Sequence, residues 1–134
     1  MTSYLEPQLP PIAITRGDWE KLVRIADASA GAFAQTAEFL GREIDRAQVI
    51  DEHESRPGLV KMGTRVTFRD DVTDQVRAVT LVYPGEADVS QGRISVLTPI
   101  GAALIGLSVT QSIEWDTQNG GRRSLTVLSV EPVA

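Results

Sequence analysis

The stretch that decides the fold runs from residue 93 to residue 116 and reads RISVLTPIGAALIGLSVTQSIEWD. Its first residues, up to Leu97, are rich in side chains that favour a β-strand. Thr98 followed by Pro99 is typical of a helix start, because threonine caps the first turn and proline fits the first helical position. The apolar run that follows reaches Gly106, where glycine can adopt the left-handed conformation that ends a helix. We therefore predict strand, short helix, turn and strand, with no obvious catalytic group among them.

Composition limits the classes of protein that this chain can belong to. It has 134 residues, 42% of them hydrophobic, which is enough for one domain with a real core and a small extension. It contains no cysteine, so disulfides and thiolate metal sites are excluded. The formal net charge of −5 disfavours direct binding to nucleic acid, because phosphates repel an acidic protein. The first residues lack the pattern of a signal peptide, and no apolar run approaches the ~20 residues of a membrane span. We expect a cytoplasmic protein that does not contact membranes.

The N-terminal third is predicted to be an extended arm followed by two helices. Prolines in residues 1–14 favour the arm, whose last apolar residues, Ile12 and Ile14, can dock on the body. Residues 15–51 are predicted to form a short antiparallel helical hairpin, because a short connection makes neighbouring helices antiparallel. The first helix starts at a sequence like a capping box, Thr15 to Asp18. The second is predicted from about Ala34 to Ile50, with a coiled-coil seam: Phe33, Ala37, Leu40, Ile44 and Ala47.

The C-terminal part is predicted to be a β-sheet domain. Residues 52–58 are polar and end in Pro-Gly, which is typical of a linker. From residue 59 to residue 134, runs of alternating apolar and polar residues predict about five strands around the one short helix. Asn119-Gly120 between two extended runs is a strong hairpin signal. Because hairpins dominate, the fold class is predicted to be α+β with a mainly antiparallel sheet.

Catalytic and metal-binding patterns are weak. The sequence has no glycine-rich phosphate loop, and its one histidine, His53, lies in the predicted linker. Three acids between Asp70 and Asp74 lack the bidentate glutamate of a calcium loop, so a hairpin turn is favoured. We predict no metal site and no cofactor, and a binding or regulatory module in place of an enzyme.

Several motifs together resemble a known family. Residues 60–69, 80–84 and 94–107 are similar to the C-terminal domain of the bacterial Gre transcript-cleavage factors. The run from Ser95 to Leu104 is specific in combination, although each piece alone is weak. Residues 43–49 and the short hairpin resemble the Rnk branch of this family, the regulators of nucleoside diphosphate kinase. The resemblance covers nearly the whole chain from about Ile12.

The resemblance implies a fold and a partner. It implies an FKBP-like C-terminal domain, an N-terminal antiparallel coiled coil, and docking on RNA polymerase beside the secondary channel. The docking segment of the family lies just before the short helix, and its proline matches Pro99. The polymerase-docking residues expected here are therefore Leu97, Thr98, Pro99 and Ile100. For Leu97, which stands where some Gre proteins carry an acid, core packing is the alternative.

The hairpin differs from that of the cleavage factors, whose tip acids hold Mg²⁺. Residues 27–33 contain only one acid, Asp27, so we predict competition with Gre factors at the polymerase without transcript cleavage. Two alternatives stay open: an interaction module acting on nucleoside diphosphate kinase regulation, and an active cleavage factor. A prolyl isomerase is disfavoured because aromatics make up only 5% of the chain. The sequence leaves the oligomeric state open.

Overall fold

The computed structural model describes residues 9–28, 31, 34–54, 56–117 and 120–132. The helices are α1 (Arg16–Ala28), α2 (Ala34–Arg46) and α3 (Pro99–Leu104). The strands are β1 (Ala13–Thr15), β2 (Gln48–Ile50), β3 (Arg65–Asp70), β4 (Val76–Val82), β5 (Arg93–Ser95), β6 (Ser112–Asp116) and β7 (Arg122–Glu131). The prediction of a mixed helix-and-sheet fold is confirmed.

The main sheet has five strands in the order β5-β4-β3-β7-β6. Adjacent strands are antiparallel except for β4 and β5, which run parallel. The parallel pair is connected through two short 3-10 turns, Pro84–Glu86 and Val89–Gln91. A bulge between Thr67 and Phe68 shifts the register of β3 against β7. The prediction of a mainly antiparallel sheet made of hairpins is confirmed.

Helices and sheet share one hydrophobic core. Val66 and Phe68 stand at alternate positions of β3, and both are buried on one face of the strand. Leu22 of α1 and Leu40 of α2 belong to the same cluster of buried side chains as these two. Of the predicted seam, the structure buries Ala37, Leu40 and Ile44, half-buries Ala47 and leaves Phe33 outside the described residues. The predicted linker at residues 52–58 therefore joins two parts that pack against each other.

The prediction that the second helix continues to Ile50 is wrong. The helix α2 ends at Arg46, and Gln48–Ile50 forms β2, which pairs in parallel with β1. The amide of Gln48 donates to the carbonyl oxygen of Ile12 at 2.9 Å. Because Val49 and Ile50 are β-branched, they fit a strand as soon as a partner strand is present. That partner is the end of the predicted N-terminal arm, where Ile12 and Ile14 are buried as expected.

Two glycines are required by close packing around α3. A Cβ on Gly101 would lie 2.2 Å from the carbonyl oxygen of Ser95, which no real structure tolerates. Gly106 has φ of +83°, and a Cβ there would lie 3.0 Å from the Cβ of Ile12. The chain after α3 thus passes close to the N-terminal strand, where the amide of Ala13 donates to the carbonyl oxygen of Gly106 at 3.2 Å.

Within the described part of the chain, no helix has the length and apolar character needed to cross a membrane.

Candidate functional site: a docking surface around α3

The segment before α3 is a rigid, capped turn. The hydroxyl of Thr98 accepts a hydrogen bond from the amide of Gly101 at 3.1 Å and donates one to the carbonyl oxygen of Ser95 at 2.7 Å. The hydroxyl of Ser95 accepts from the amide of Leu97 at 2.9 Å. Pro99 occupies the first turn of the helix, where its missing amide proton costs nothing. Local hydrogen bonds therefore fix the shape of this turn before any partner arrives.

The four predicted docking residues differ in exposure. Pro99 is exposed, and Thr98 is half-buried because its hydroxyl faces the turn. Ile100 is half-buried and packs against the core. Leu97 is only 8% exposed and belongs to the core cluster, which agrees with the core-packing interpretation of this position. Of the four predicted docking residues, only Pro99 is therefore exposed to solvent.

A groove lies beside Pro99, between α2 and β6, with a volume of about 530 Å³. The rings of Phe39 and Trp115 stack in it, with centroids 6.4 Å apart and an interplanar angle of 22°. Leu9, which is 43% exposed, lines it as well. The sequence prediction missed this groove, since Phe39 lies off the predicted seam and Trp115 lies far away in sequence. The signal in the sequence was Phe39 itself, an aromatic residue on the charged side of α2, which indicates an apolar contact outside the helix seam.

The N-terminal residues at the groove are held by two polar side chains. Arg46 makes a two-bond ion pair with the buried carboxylate of Glu43, at 2.7 and 2.9 Å, and also donates to the carbonyl oxygen of Pro10. The side-chain amide of Gln111 donates to the carbonyl oxygen of Pro11 at 3.0 Å. We call residues 9–11 the strap. Its backbone is held by α2 on one side and by the loop before β6 on the other, and its first residue, Leu9, lines the groove.

The predicted tip acid, Asp27, is exposed near the C-terminal end of α1. Residues 29, 30, 32 and 33 of the predicted tip lie outside the described residues. Across the described ranges, no group of three or more histidine, cysteine, aspartate or glutamate residues is arranged to hold a metal ion.

The acidic turn between β3 and β4 is a structural hairpin turn. Asp70 accepts hydrogen bonds from the amides of Val72, at 2.9 Å, and Thr73, at 3.2 Å, and from the guanidinium of Arg123. Burial alone would raise the pKa of Asp70, but these bonds and the charge of Arg123 together lower the pKa below its ordinary value. The same balance lowers the pKa of Asp71, which is bonded to Arg69, Thr126 and Ser124. The expectation of a hairpin turn is confirmed.

A separate polar contact fixes the start of α1 on the sheet. The carboxylate of Asp18 accepts from the amide of Met62 at 3.2 Å and from the hydroxyl of Tyr83 at 3.0 Å. Burial and the charge of Asp18 raise the pKa of the Tyr83 hydroxyl, which therefore stays a donor. The amide of Gly17 donates to the carboxylate of Glu52. The acid of the predicted capping box thus connects α1 to the segments just before β3 and just after β4.

Comparison with known proteins agrees with this architecture. Residues 55–132 match the family described as "Transcription elongation factor, GreA/GreB, C-term", and residues 10–50 match "Rnk N-terminus". The chain is 38% identical, over 91% of its length and 90% of the relative's, to the "Regulator of nucleoside diphosphate kinase" of Escherichia coli (strain K12). It is 41% identical to the "Transcription elongation factor GreA" of Sinorhizobium medicae over 66% of this chain and 55% of that protein.

A solved structure shows the same fold. The "Prokaryotic transcription elongation factor GreA/GreB from Nitrosomonas europaea" superposes with a TM-score of 0.70 and 33% identity, covering 92% of this chain and 99% of that one. Together with the sequence matches, this similarity defines a regulator of the transcription elongation factor type. The chain belongs to the GreA/GreB family and carries the N-terminal segment of its Rnk branch.

Proposed function

We propose that this protein binds RNA polymerase in the cytoplasm, near the secondary channel, and regulates transcription by competing with Gre factors, without cleaving transcripts. The observation that carries the proposal is the capped turn at residues 95–101, which presents Pro99 to solvent within the region that matches the GreA/GreB C-terminal domain. A turn held by its own hydrogen bonds loses little conformational entropy on binding, which favours its use as a docking element.

The hairpin supports the part of the proposal that excludes cleavage. Its helices have 13 residues each, and at ~1.5 Å per residue they extend about 20 Å. Residues 27–33 include one carboxylate, Asp27, and a single carboxylate is a weak ligand set for Mg²⁺. The coiled-coil geometry of α1 and α2 and the FKBP-like character of residues 59–134 remain predictions from the family resemblance.

Binding of the purified protein to core RNA polymerase tests the proposal. We expect binding, displacement of a bound Gre factor, and about tenfold weaker affinity for Pro99→Ala, because an exposed anchor at the centre of an interface carries much of its energy. Pro84→Ala is the matched control, since Pro84 also begins a short helical turn and is exposed on another part of the surface. The proposal is overturned if the wild-type protein neither binds polymerase nor displaces a Gre factor.

Regulation of nucleoside diphosphate kinase is the second candidate function. It is favoured by the name of the relative that is 38% identical over 91% of the chain. Titration of purified nucleoside diphosphate kinase with this protein would show a change in its activity under this second hypothesis. If the activity of the kinase stays constant while the protein binds polymerase, only the proposal of polymerase binding remains.

A further inference from the structure

We propose that the groove between α2 and β6 is a second part of the docking surface and takes a protein segment with a large apolar side chain next to a basic one. The inference rests on the proposed function, because it assigns the segment to the polymerase. It goes further by extending the contact from Pro99 of α3 onto α2, β6 and the N-terminal strap.

The shape of the groove fits such a side chain. Its volume of about 530 Å³ lies in the range of pockets that bury a ligand of modest size. Its aromatic surface comes from the stacked rings of Phe39 and Trp115, and Leu9 adds an aliphatic wall. Pro99 lines the same groove, so the docking turn and the groove form one continuous surface.

The walls of the groove are fixed before a partner binds. Arg46 joins the strap at Pro10 to the buried carboxylate of Glu43, and Gln111 holds the next carbonyl oxygen, that of Pro11. Moving Arg46 away would leave the buried carboxylate of Glu43 without compensation, which opposes any displacement of Arg46. The strap therefore presents Leu9 to the groove at little entropic cost.

The charges around the groove favour a partner segment that carries a basic residue next to its apolar side chain. Glu38 is neutralised by Arg42 at 3.2 Å, and Glu43 is neutralised by Arg46. Among the described residues that line the groove, the two remaining acids lie on β6 and share one guanidinium: Arg122 lies 3.4 Å from Glu114 and 3.3 Å from Asp116. One negative charge is thus left over at the β6 rim. Complementary charge at a rim of this kind sets the orientation and rate of binding more than its strength.

Affinity measurements on groove variants test this inference. We expect Phe39→Ala to weaken polymerase binding about tenfold, through the lost apolar contact, and Glu114→Lys about fivefold, through charge repulsion. The matched controls are Val76→Ala and Glu20→Lys, which change an exposed apolar and an exposed acidic residue outside the groove. Both controls are expected to stay within twofold of the wild type. Thermal melting of each variant separates loss of binding from loss of folding.

Hydroxyl-radical footprinting gives an independent readout without substitutions. Bound polymerase is expected to reduce oxidation of Trp115 several-fold, while Trp19 on α1, which lies outside the groove, serves as internal reference. If Pro99→Ala weakens binding but the groove variants and Trp115 oxidation are unchanged, the inference fails and the proposed function stands. If the wild type does not bind polymerase, both fail.

Two other occupants would also overturn the inference. Increased Trp115 oxidation in the free protein after deletion of residues 1–8 would assign the groove to the chain's own N-terminus. Oxidation that falls as the free protein is concentrated would assign it to a second copy of the chain.

Discussion

Two local units of the C-terminal part, the hairpin β3–β4 and the cap of α3, are held differently from the N-terminal helices. The hairpin β3–β4 and the cap of α3 are made by residues close in sequence, with Thr98 bonded three residues away in each direction. The N-terminal elements instead depend on contacts between distant residues: Gly17 with Glu52, Asp18 with Tyr83 and Pro11 with Gln111 are 35, 65 and 100 residues apart. Contacts between residues close in sequence can be predicted from local sequence patterns. Contacts between distant residues become visible only in the folded structure.

The largest expected effect comes from breaking the local unit around α3. Gly101→Ala places a methyl group against the Ser95 carbonyl oxygen, and we expect the free energy of unfolding to fall by about 3 kcal/mol. Gly41→Ala in α2 is the control, because nothing lies within 4 Å of the added methyl group. It is expected to stabilise by about 0.5–1 kcal/mol. Urea denaturation measures both, and equal stability of the two variants would contradict the steric argument.

Removing the charge of Asp70 breaks a turn that combines local and distant bonds. We expect Asp70→Asn to lower the free energy of unfolding at pH 7 by about 2 kcal/mol, through weakened bonds to two amides and to Arg123. Asp45→Asn, at an exposed position on α2, is the control.

The same carboxylate predicts the direction of acid sensitivity. Because the pKa of Asp70 is lowered by folding, the native state binds fewer protons than the unfolded chain near the unfolded pKa of about 3.9. Its stabilisation is complete above that value and is lost as the pH falls towards the lower native pKa. Urea titrations from pH 7 to pH 2 should therefore show a shallower loss of stability for Asp70→Asn than for wild type. Parallel curves would exclude a contribution from Asp70.

A smaller effect is expected from one of the distant contacts. Tyr83→Phe removes the hydroxyl that donates to Asp18 and should cost about 1 kcal/mol. A double-mutant cycle with Asp18→Asn should give a coupling energy of similar size, since the two groups contact each other directly. Ser90→Ala removes an exposed local bond to Asp88 and should cost less. If Ser90→Ala lowered the stability more than Tyr83→Phe does, the claim that distant contacts stabilise the position of α1 would be contradicted.

The smallest expected effect is a gain in stability. Thr110 has φ of +78°, a left-handed conformation that a β-branched residue adopts only under strain. Thr110→Gly should relieve that strain, and after the entropy cost of glycine we expect a net gain of about 0.5 kcal/mol. Differential scanning calorimetry would detect the gain as a higher melting temperature. A lower melting temperature would mean that packing of the Thr110 side chain outweighs the strain.

The local structure could be predicted from the sequence, but the contacts between residues distant in sequence could not. Sequence reasoning predicted the start of α3 at Pro99 and the alternating strands of the sheet, because capping and alternation are local patterns. It extended α2 into residues 48–50, because the predicted seam reaches Ala47 and the pairing with β1 is visible only in the fold. The contact of Phe39 with Trp115 was equally hidden, since the two residues lie 76 positions apart and neither periodicity nor capping relates them.

The shared core has a consequence for how the molecule unfolds. Leu22 and Leu40 of the helices pack in the same cluster as Phe68 and Leu104 of the C-terminal part. Since neither part can expose its apolar face without exposing that of the other, both should melt in a single cooperative transition. A force applied to the hairpin would then be transmitted directly to the sheet, so that the hairpin and the capped turn at residues 95–101 would move as one body.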